Sequence, residues 1–109
     1  MGVPALRKGD DPLRPRGLED LDDLDAVFGA LAHRARRTII GVLHARGGEM
    51  TSTAIADRFD HSWPTTTRHL RVLEEAGLVT ITLRGRERVY HLNSARLRGI
   101  AGGWLERYS

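Results

Sequence analysis

Residues 62–93 read SWPTTTRHLRVLEEAGLVTITLRGRERVYHLN, and this stretch decides the fold. Ser62 is a suitable N-cap, Pro64 suits the first turn of a helix, and Gly77 suits the helix end. Apolar residues then predict two strands, over 78–83 and 89–92, and Gly85 permits the turn between them. A helix followed at once by a hairpin with arginines at its tip predicts a winged helix-turn-helix, a fold that binds double-stranded DNA.

The charge of the chain is concentrated in the same region. The whole molecule of 109 residues carries a formal charge of +3, and 16 of its 17 basic residues are arginines. Residues 62–98 hold seven arginines against three acidic residues, a balance of +4 that exceeds the charge of the whole chain. Such a concentration on contiguous elements is typical of a surface that binds phosphates.

The amino-acid composition argues against several other classes of function. The chain has 40% apolar and 28% charged residues, which is typical of one globular domain, and it has no cysteine. The absence of cysteine excludes disulfides, thiolate metal sites and thiol redox sensing. No apolar stretch approaches the length of a membrane span, so we expect a cytoplasmic protein without a membrane partner. No nucleophile, base and orienting group cluster together, so we expect no enzyme, no catalytic residues and no cofactor.

The remaining sequence predicts a mainly α-helical domain over residues 18–109 with a small β-hairpin, about five helices and a two-stranded wing. Residues 1–17 contain three of the four prolines and predict a flexible arm. A first helix should run from Leu18 to Leu31, and a second should cover residues 35–45. Thr51, Ser52 or Thr53 should cap a short third helix. The 62–76 helix follows, and a last helix should cover residues 95–108.

The predicted recognition helix has two faces. At about 100° per residue, the core face carries Thr66, Leu70 and Leu73, with His69 at its edge in a structural role. The residues expected to face the DNA groove are Thr65, Thr67, Arg68 and Arg71. Arginine can bind guanine O6 and N7 in a bidentate fork, and threonine can contact a base, a phosphate or a thymine methyl.

Further DNA-contact candidates flank this helix. Ser62 and Trp63 stand at its start, and the Trp63 ring has two interpretations: stacking on a sugar, or packing against Phe59 or the preceding helix. In the wing, Arg84, Arg86 and Arg88 are expected to reach the DNA backbone or a neighbouring minor groove. For Arg88, the alternative is pairing with Glu87 or with structural carboxylates.

Three segments carry a family resemblance. The strings LAHRARRTII (31–40), SWPTTTRHLRVLEEAGLV (62–79) and GRERVYHLN (85–93) resemble the ArsR/SmtB family of bacterial transcriptional regulators, and the similarity covers roughly residues 24–107. The resemblance implies a dimeric winged helix-turn-helix repressor that leaves its operator when a signal arrives.

The chain departs from the metal-sensing members of that family. Those members place cysteines where this chain reads EMTSTA (49–54), and Asp and His where it reads NSARL (93–97). The five histidines are scattered without a helical i, i+4 pair of the kind that zinc uses. We therefore expect no metal site. An organic effector, a protein partner and no inducer remain equally open.

Two amphipathic helices flank the predicted DNA-binding core, which is too small to bury both. The resemblance implies that they form a two-fold interface and that the homodimer binds an inverted-repeat operator. The candidate interface residues are Leu21, Leu24, Phe28, Ile100, Trp104, Leu105 and Tyr108. Alternatively each packs within its own chain, Phe28 in particular. The alternative function is a winged-helix protein-interaction module without DNA binding, against which the basic wing argues.

Overall fold

The computed structural model describes residues 21–109. The predicted arm over residues 1–17 and the predicted helix start at Leu18 lie outside the described residues. The helices are α1 (Leu21–Leu31), α2 (Arg34–Ala45), α3 (Ser52–Arg58), α4 (Trp63–Glu75), α5 (Ser94–Leu97) and α6 (Gly103–Glu106), with a π-helical segment (Arg98–Gly102) between the last two. The strands are β1 (Glu49–Thr51), β2 (Val79–Arg84) and β3 (Glu87–Leu92).

Side-chain caps start α2, α3 and α4, and a fourth starts α5. The Ser62 hydroxyl accepts from the Thr65 N–H at 3.4 Å, which confirms the predicted start of α4, and Pro64 lies in the first turn. Of the three candidates for α3, Thr51 is the cap, and its hydroxyl accepts from the Ala54 N–H at 3.1 Å. The His33 imidazole caps α2 by accepting from the Ala35 N–H at 3.2 Å, a role that the sequence did not suggest. A lost cap costs about 1 kcal/mol.

The sheet has three antiparallel strands in the order β1-β3-β2. The β2–β3 hairpin is the predicted wing, and Gly85 at its tip has a positive φ of 67°. The unpredicted strand β1 pairs with β3, so that Met50 lies opposite the buried Tyr90. The wing is therefore attached along one edge to the segment that precedes α3.

The hydrophobic core lies beneath α4. Thr66 is only 3% exposed, and Leu70 and Leu73 are fully buried, which confirms the predicted core face of the recognition helix. The core partners from the other elements are Val27, Ile39, Leu43, Ile55, Leu78 and Tyr90. Burial of each large apolar side chain contributes roughly 1.5–3 kcal/mol. This packing fixes the rotation of α4 and leaves its opposite face outward.

The C-terminal helical segment (94–106) differs from the continuous helix predicted over residues 95–108. It begins with an Asn93 cap that accepts from the Arg96 N–H at 3.2 Å, widens to π geometry over Arg98–Gly102, and ends at Glu106. Gly99, Gly102 and Gly103 lie in or next to the widened turn, where the lack of side chains lowers resistance to irregular geometry. None of the described helices is long and apolar enough to cross a membrane.

Candidate nucleic-acid interface

The first turns of α4 present a small polar network at the surface. The Thr65 hydroxyl accepts from the Ser62 hydroxyl at 3.0 Å and from Arg68 Nη2 at 3.4 Å. Arg68 and Arg71 are both exposed on the face opposite the core. Arg68 lies in the N-terminal half of α4, the half through which recognition helices reach base edges.

The position of Thr67 differs from the prediction that this residue faces the DNA groove. Its side-chain hydroxyl is buried and, within residues 21–109, has no hydrogen-bond partner, so it does not face outward beside Arg68 and Arg71. The residue lies at the border between the two faces of α4, where a periodicity of 100° per residue does not decide the orientation of a small side chain. In this conformation the Thr67 hydroxyl cannot contact a base.

Trp63 is the first residue of α4 and is 38% exposed. Phe59, one of its suggested packing partners, is half-buried against the core, and the Arg58 guanidinium lies 5.9 Å from its ring centroid. More than a third of a large aromatic surface is therefore available beside Ser62 and Pro64, at the end of the helix that carries the Thr65–Arg68 network.

The wing arginines are exposed but not equivalent. Arg84 Nη2 forms a salt bridge with Glu49 Oε2 at 3.0 Å, which joins the hairpin to β1. The Arg84 side chain is 66% exposed, so this pair contributes at most about 1 kcal/mol. Arg86 and Arg88 extend from the turn and from the start of β3.

Glu87 binds α3 rather than serving as a partner for Arg88. Its Oε1 accepts from the Thr53 backbone N–H at 3.2 Å. Hydrogen bonds from Thr53, first through its side chain and then through its backbone, hold the pKa of Glu87 below its ordinary value. The carboxylate thus stabilises the N-terminal end of α3 and ties the wing to the helix-turn-helix. Sequence reasoning missed this role, since Glu87 and Thr53 are 34 positions apart.

Arg96 contributes to the basic balance of the sequence but has a structural role. Its Nε donates to the Ala76 carbonyl at 2.8 Å, and its Nη2 contacts Asp23 Oδ1 at 3.2 Å. Gly77 has a positive φ of 76°, and a Cβ there would lie 2.5 Å from Arg96 Nε, so glycine permits the close approach. Arg96 therefore joins α5 to the end of α4 and to α1.

Arg36 makes a similar link at the other side of α4. Its Nε donates to the Ala30 carbonyl at 2.7 Å, and its Nη1 lies 3.4 Å from His69 Nδ1. His69 is half-buried, as predicted for the edge of the core face, and its ring centroid lies 4.6 Å from that of His33. Burial and, next, the charge of His33 lower the pKa of His69. The end of α1 is thereby connected to the recognition helix.

The seven candidate interface residues divide into half-buried and exposed groups. Phe28 packs edge-on against Trp104 at a centroid distance of 5.3 Å, and Trp104 packs against Tyr108 at 5.0 Å. Phe28 thus has a partner in its own chain, whereas Leu105 is 58% and Tyr108 71% exposed. The half-buried members are Leu21, Leu24, Phe28, Ile100 and Trp104. Phe28, Trp104 and Tyr108 therefore form an aromatic row that runs from α1 to an exposed end.

Comparison with known proteins bears on this combination of elements. A family model described as "Helix-turn-helix domain" matches residues 31–82. The HTH-type transcriptional regulator YuzN of Bacillus subtilis (strain 168) is 35% identical over 88 residues, which cover 75% of this chain and 95% of that protein. Transcriptional repressor SdpR from the same organism is 33% identical over 75 residues, with 69% and 81% coverage.

A solved structure decides the family. The ArsR-like transcriptional regulator from Rhodococcus sp. RHA1 is 30% identical, with a TM-score of 0.72 over 84% of this chain and 83% of that one. The chain belongs to the ArsR family of transcriptional regulators. The predicted family and the predicted winged helix-turn-helix fold are both confirmed. In this ArsR-family chain, the residues that the structure describes contain no group of three or more His, Cys, Asp or Glu side chains that could hold a metal ion.

Proposed function

We propose that this ArsR-family regulator is a repressor that binds an inverted-repeat operator in double-stranded DNA as a homodimer. The observation that carries the proposal is the outward face of α4, where exposed Arg68 and Arg71 lie beside the Thr65 hydroxyl network. This face is fixed from behind by the buried Thr66, Leu70 and Leu73. A rigid helix with arginines on its outer side suits the major groove.

Each exposed group has a proposed role. Arg68 reads a guanine through a bidentate fork, and Arg71 contacts a base or the adjacent backbone. Ser62, Thr65 and Trp63 contact the sugar-phosphate backbone at the entry of the helix, where the ring of Trp63 can stack on a sugar. In the wing, Arg86 and Arg88 bind phosphates, and Arg84 does so when it leaves Glu49. Thr67 has no role in this proposal, since its hydroxyl is buried.

The homodimer rests on the exposed end of the aromatic row. Leu105 and Tyr108 present apolar surface that residues 21–109 of one chain leave exposed, next to the half-buried Trp104. A two-fold interface here buries this surface in both chains and presents two recognition helices to successive major-groove segments, about one DNA turn apart. Repressor activity is supported by the similarity to repressor SdpR. We assign the protein no catalytic role and place it in the cytoplasm.

The decisive experiment measures binding to the gene's own upstream DNA by fluorescence anisotropy over a salt series. We expect affinity to fall steeply with salt because bound phosphates release counterions. Arg68→Ala should weaken specific binding by about 1–3 kcal/mol, roughly 5- to 150-fold, whereas Arg46→Ala at the exposed end of α2 should change it little. Equal loss in both variants, or no salt-sensitive binding, would contradict DNA recognition by α4 and favour the protein-interaction module.

A reporter assay tests the sign of regulation. The operator found by sequencing the bound fragments is placed upstream of a reporter, and the wild-type chain is compared with Arg68→Ala. We expect wild type to lower expression and the variant to restore it. Higher expression with the wild-type chain would contradict repression and indicate an activator.

A further inference from the structure

A cavity of about 290 Å³ lies beside the recognition helix, on the side of α2. Its apolar wall includes Ala35, Ile39 and Phe59, and the imidazoles of His33, His61 and His69 line it as well. At ~30 Å³ per water-sized group, the space holds about ten such groups, enough for a molecule with one small ring. The DNA-contact face of α4 does not use this cavity.

Two of the three imidazoles accept a hydrogen bond at Nδ1. His33 Nδ1 accepts from the Ala35 N–H at 3.2 Å. His69 Nδ1 lies 3.4 Å from Arg36 Nη1, and because a guanidinium can only donate, this nitrogen accepts as well. In the neutral form both rings then carry their proton on Nε2. Two of the lining rings, with centroids 4.6 Å apart, therefore have Nε2–H as the group left to donate.

The charges around the cavity have one sign. Arg34 also lines it, and its lining contains no Asp or Glu. Burial first, and then His33, Arg36, His61 and Arg68, lower the pKa of His69, as expected where positive groups converge without a counter-charge. An acceptor with negative charge fits these groups, while the apolar wall fits a hydrocarbon body. Ligand sites commonly combine a few convergent polar groups with apolar walls in this way.

We propose that this cavity binds a small organic carboxylate the size of benzoate, with the carboxylate toward His33, His69 and Arg34 and the ring toward Ile39 and Phe59. Thr66 and His69 belong to α4, so occupancy of the cavity touches the core side of the recognition helix. We further infer that the ligand changes DNA affinity, a second step that rests on the proposed function. By linkage, DNA must then change ligand affinity by the same factor.

The site is tested without DNA. Benzoate is titrated at pH 7.5 into the full chain, and the imidazole C–H signals of its five histidines are followed by NMR. We expect saturable shifts of His33 and His69 and little change of His44, which is exposed near the end of α2. Neutral benzamide and inorganic phosphate should each bind at least about tenfold more weakly. Equal affinity for benzamide would contradict recognition of the carboxylate, and equal affinity for phosphate would contradict a contribution from the apolar wall. The absence of any saturable shift would overturn the site.

Two variants locate the ligand. Ala35→Met fills the cavity from its apolar side, and Ala45→Met makes the same change at the exposed end of α2. We expect about tenfold weaker benzoate binding or more in the first and wild-type binding in the second. His33→Asn retains a good N-cap while removing one imidazole donor, so it tests the site even if Ala35→Met fails to fold. Wild-type benzoate affinity in folded Ala35→Met, or in His33→Asn, would place the ligand elsewhere and overturn the proposal.

The regulatory step is tested separately. The affinity for upstream DNA is measured with and without saturating benzoate, in wild type and in Ala45→Met, and again in His33→Asn. A benzoate-dependent change in DNA affinity that occurs in wild type and Ala45→Met but not in His33→Asn supports the inference. An unchanged DNA affinity in wild type overturns it. A chain that binds benzoate in this cavity but no DNA refutes the proposed function and leaves the ligand site standing.

Discussion

Replacement of Arg96 tests how the recognition helix is held in place. Arg96→Ala removes the hydrogen bond from Nε to the Ala76 carbonyl and the contact of Nη2 with Asp23. Hydrogen bonds from a charged donor contribute about 1.5–3 kcal/mol, and the Ala76 residue is buried, so its carbonyl would lose its partner in a poorly hydrated place. The Asp23 side chain is half exposed, so the ion pair adds at most about 1 kcal/mol.

We therefore expect Arg96→Ala to lower the free energy of unfolding by about 2–3 kcal/mol, most of it from the carbonyl contact. For a domain of this size, 2 kcal/mol corresponds to a fall in Tm of roughly 8–16 °C. Asp23→Ala should cost about 1 kcal/mol or less. The matched control is Arg98→Ala, which removes an exposed arginine from the same helical segment and should cost less than about 0.5 kcal/mol.

Urea unfolding at one fixed protein concentration measures these differences, since dimerisation makes apparent stability depend on concentration. The double variant of Arg96 and Asp23 completes a cycle that isolates the ion pair. Our reasoning fails if Arg96→Ala destabilises the protein no more than Arg98→Ala. It also fails if Asp23→Ala alone reproduces the full effect, because the carbonyl contact would then contribute nothing.

Three further predictions concern the interface and two titrating groups. Leu105→Glu combined with Tyr108→Glu should convert the proposed dimer to a monomer in equilibrium sedimentation, while Leu83→Glu, which changes an equally exposed wing residue, should leave the dimer intact; three identical profiles would reject this interface. Because the folded-state pKa of His69 is lowered from 6.5, the stability that its neutral form contributes is complete above pH 6.5 and is lost as the pH falls below that value. His69→Gln should therefore flatten the dependence of the free energy of unfolding on pH, measured by urea titrations. An unchanged pH dependence would exclude His69 as its source. The pKa of Glu87 is also lowered, from 4.5, so its contribution is present above that pH and disappears as the pH falls through the folded-state pKa; Glu87→Gln should reduce acid sensitivity in the same assay, and a wild-type acid profile would argue against the link to α3.

The parts of the fold that sequence predicts are those with local causes. The start of α4 follows from Ser62 and Pro64, and its rotation follows from the spacing of Thr66, Leu70 and Leu73, because caps and helical periodicity depend on neighbouring residues. The hairpin follows from alternating apolar residues and Gly85. These signals were sufficient to identify the face that carries Arg68 and Arg71.

Contacts between distant positions were not predictable from local pattern. Strand β1 has only three residues, too few for an alternating pattern to stand out, and it is held by its pairing with β3, where Met50 lies opposite Tyr90. The bond between Glu87 and Thr53 joins positions 34 apart, and the contact between Arg96 and Asp23 joins positions 73 apart. The burial of the Thr67 hydroxyl likewise depends on which neighbours pack beside α4. Each required the tertiary arrangement before the individual side chain could be placed.

The arginines show why charge count alone does not define a DNA-binding surface in this chain. Arg36 and Arg37 donate to the Ala30 and Leu31 carbonyls at the end of α1, and Arg96 donates to the Ala76 carbonyl after α4. Helix C-termini leave carbonyls unpaired and carry partial negative charge, so cations there stabilise both the helix end and its junction with the next element. The same residue type thus fixes the position of α4 from within the fold. Only arginines that do not donate to such carbonyls, Arg68 foremost, are available to bind an external phosphate or base.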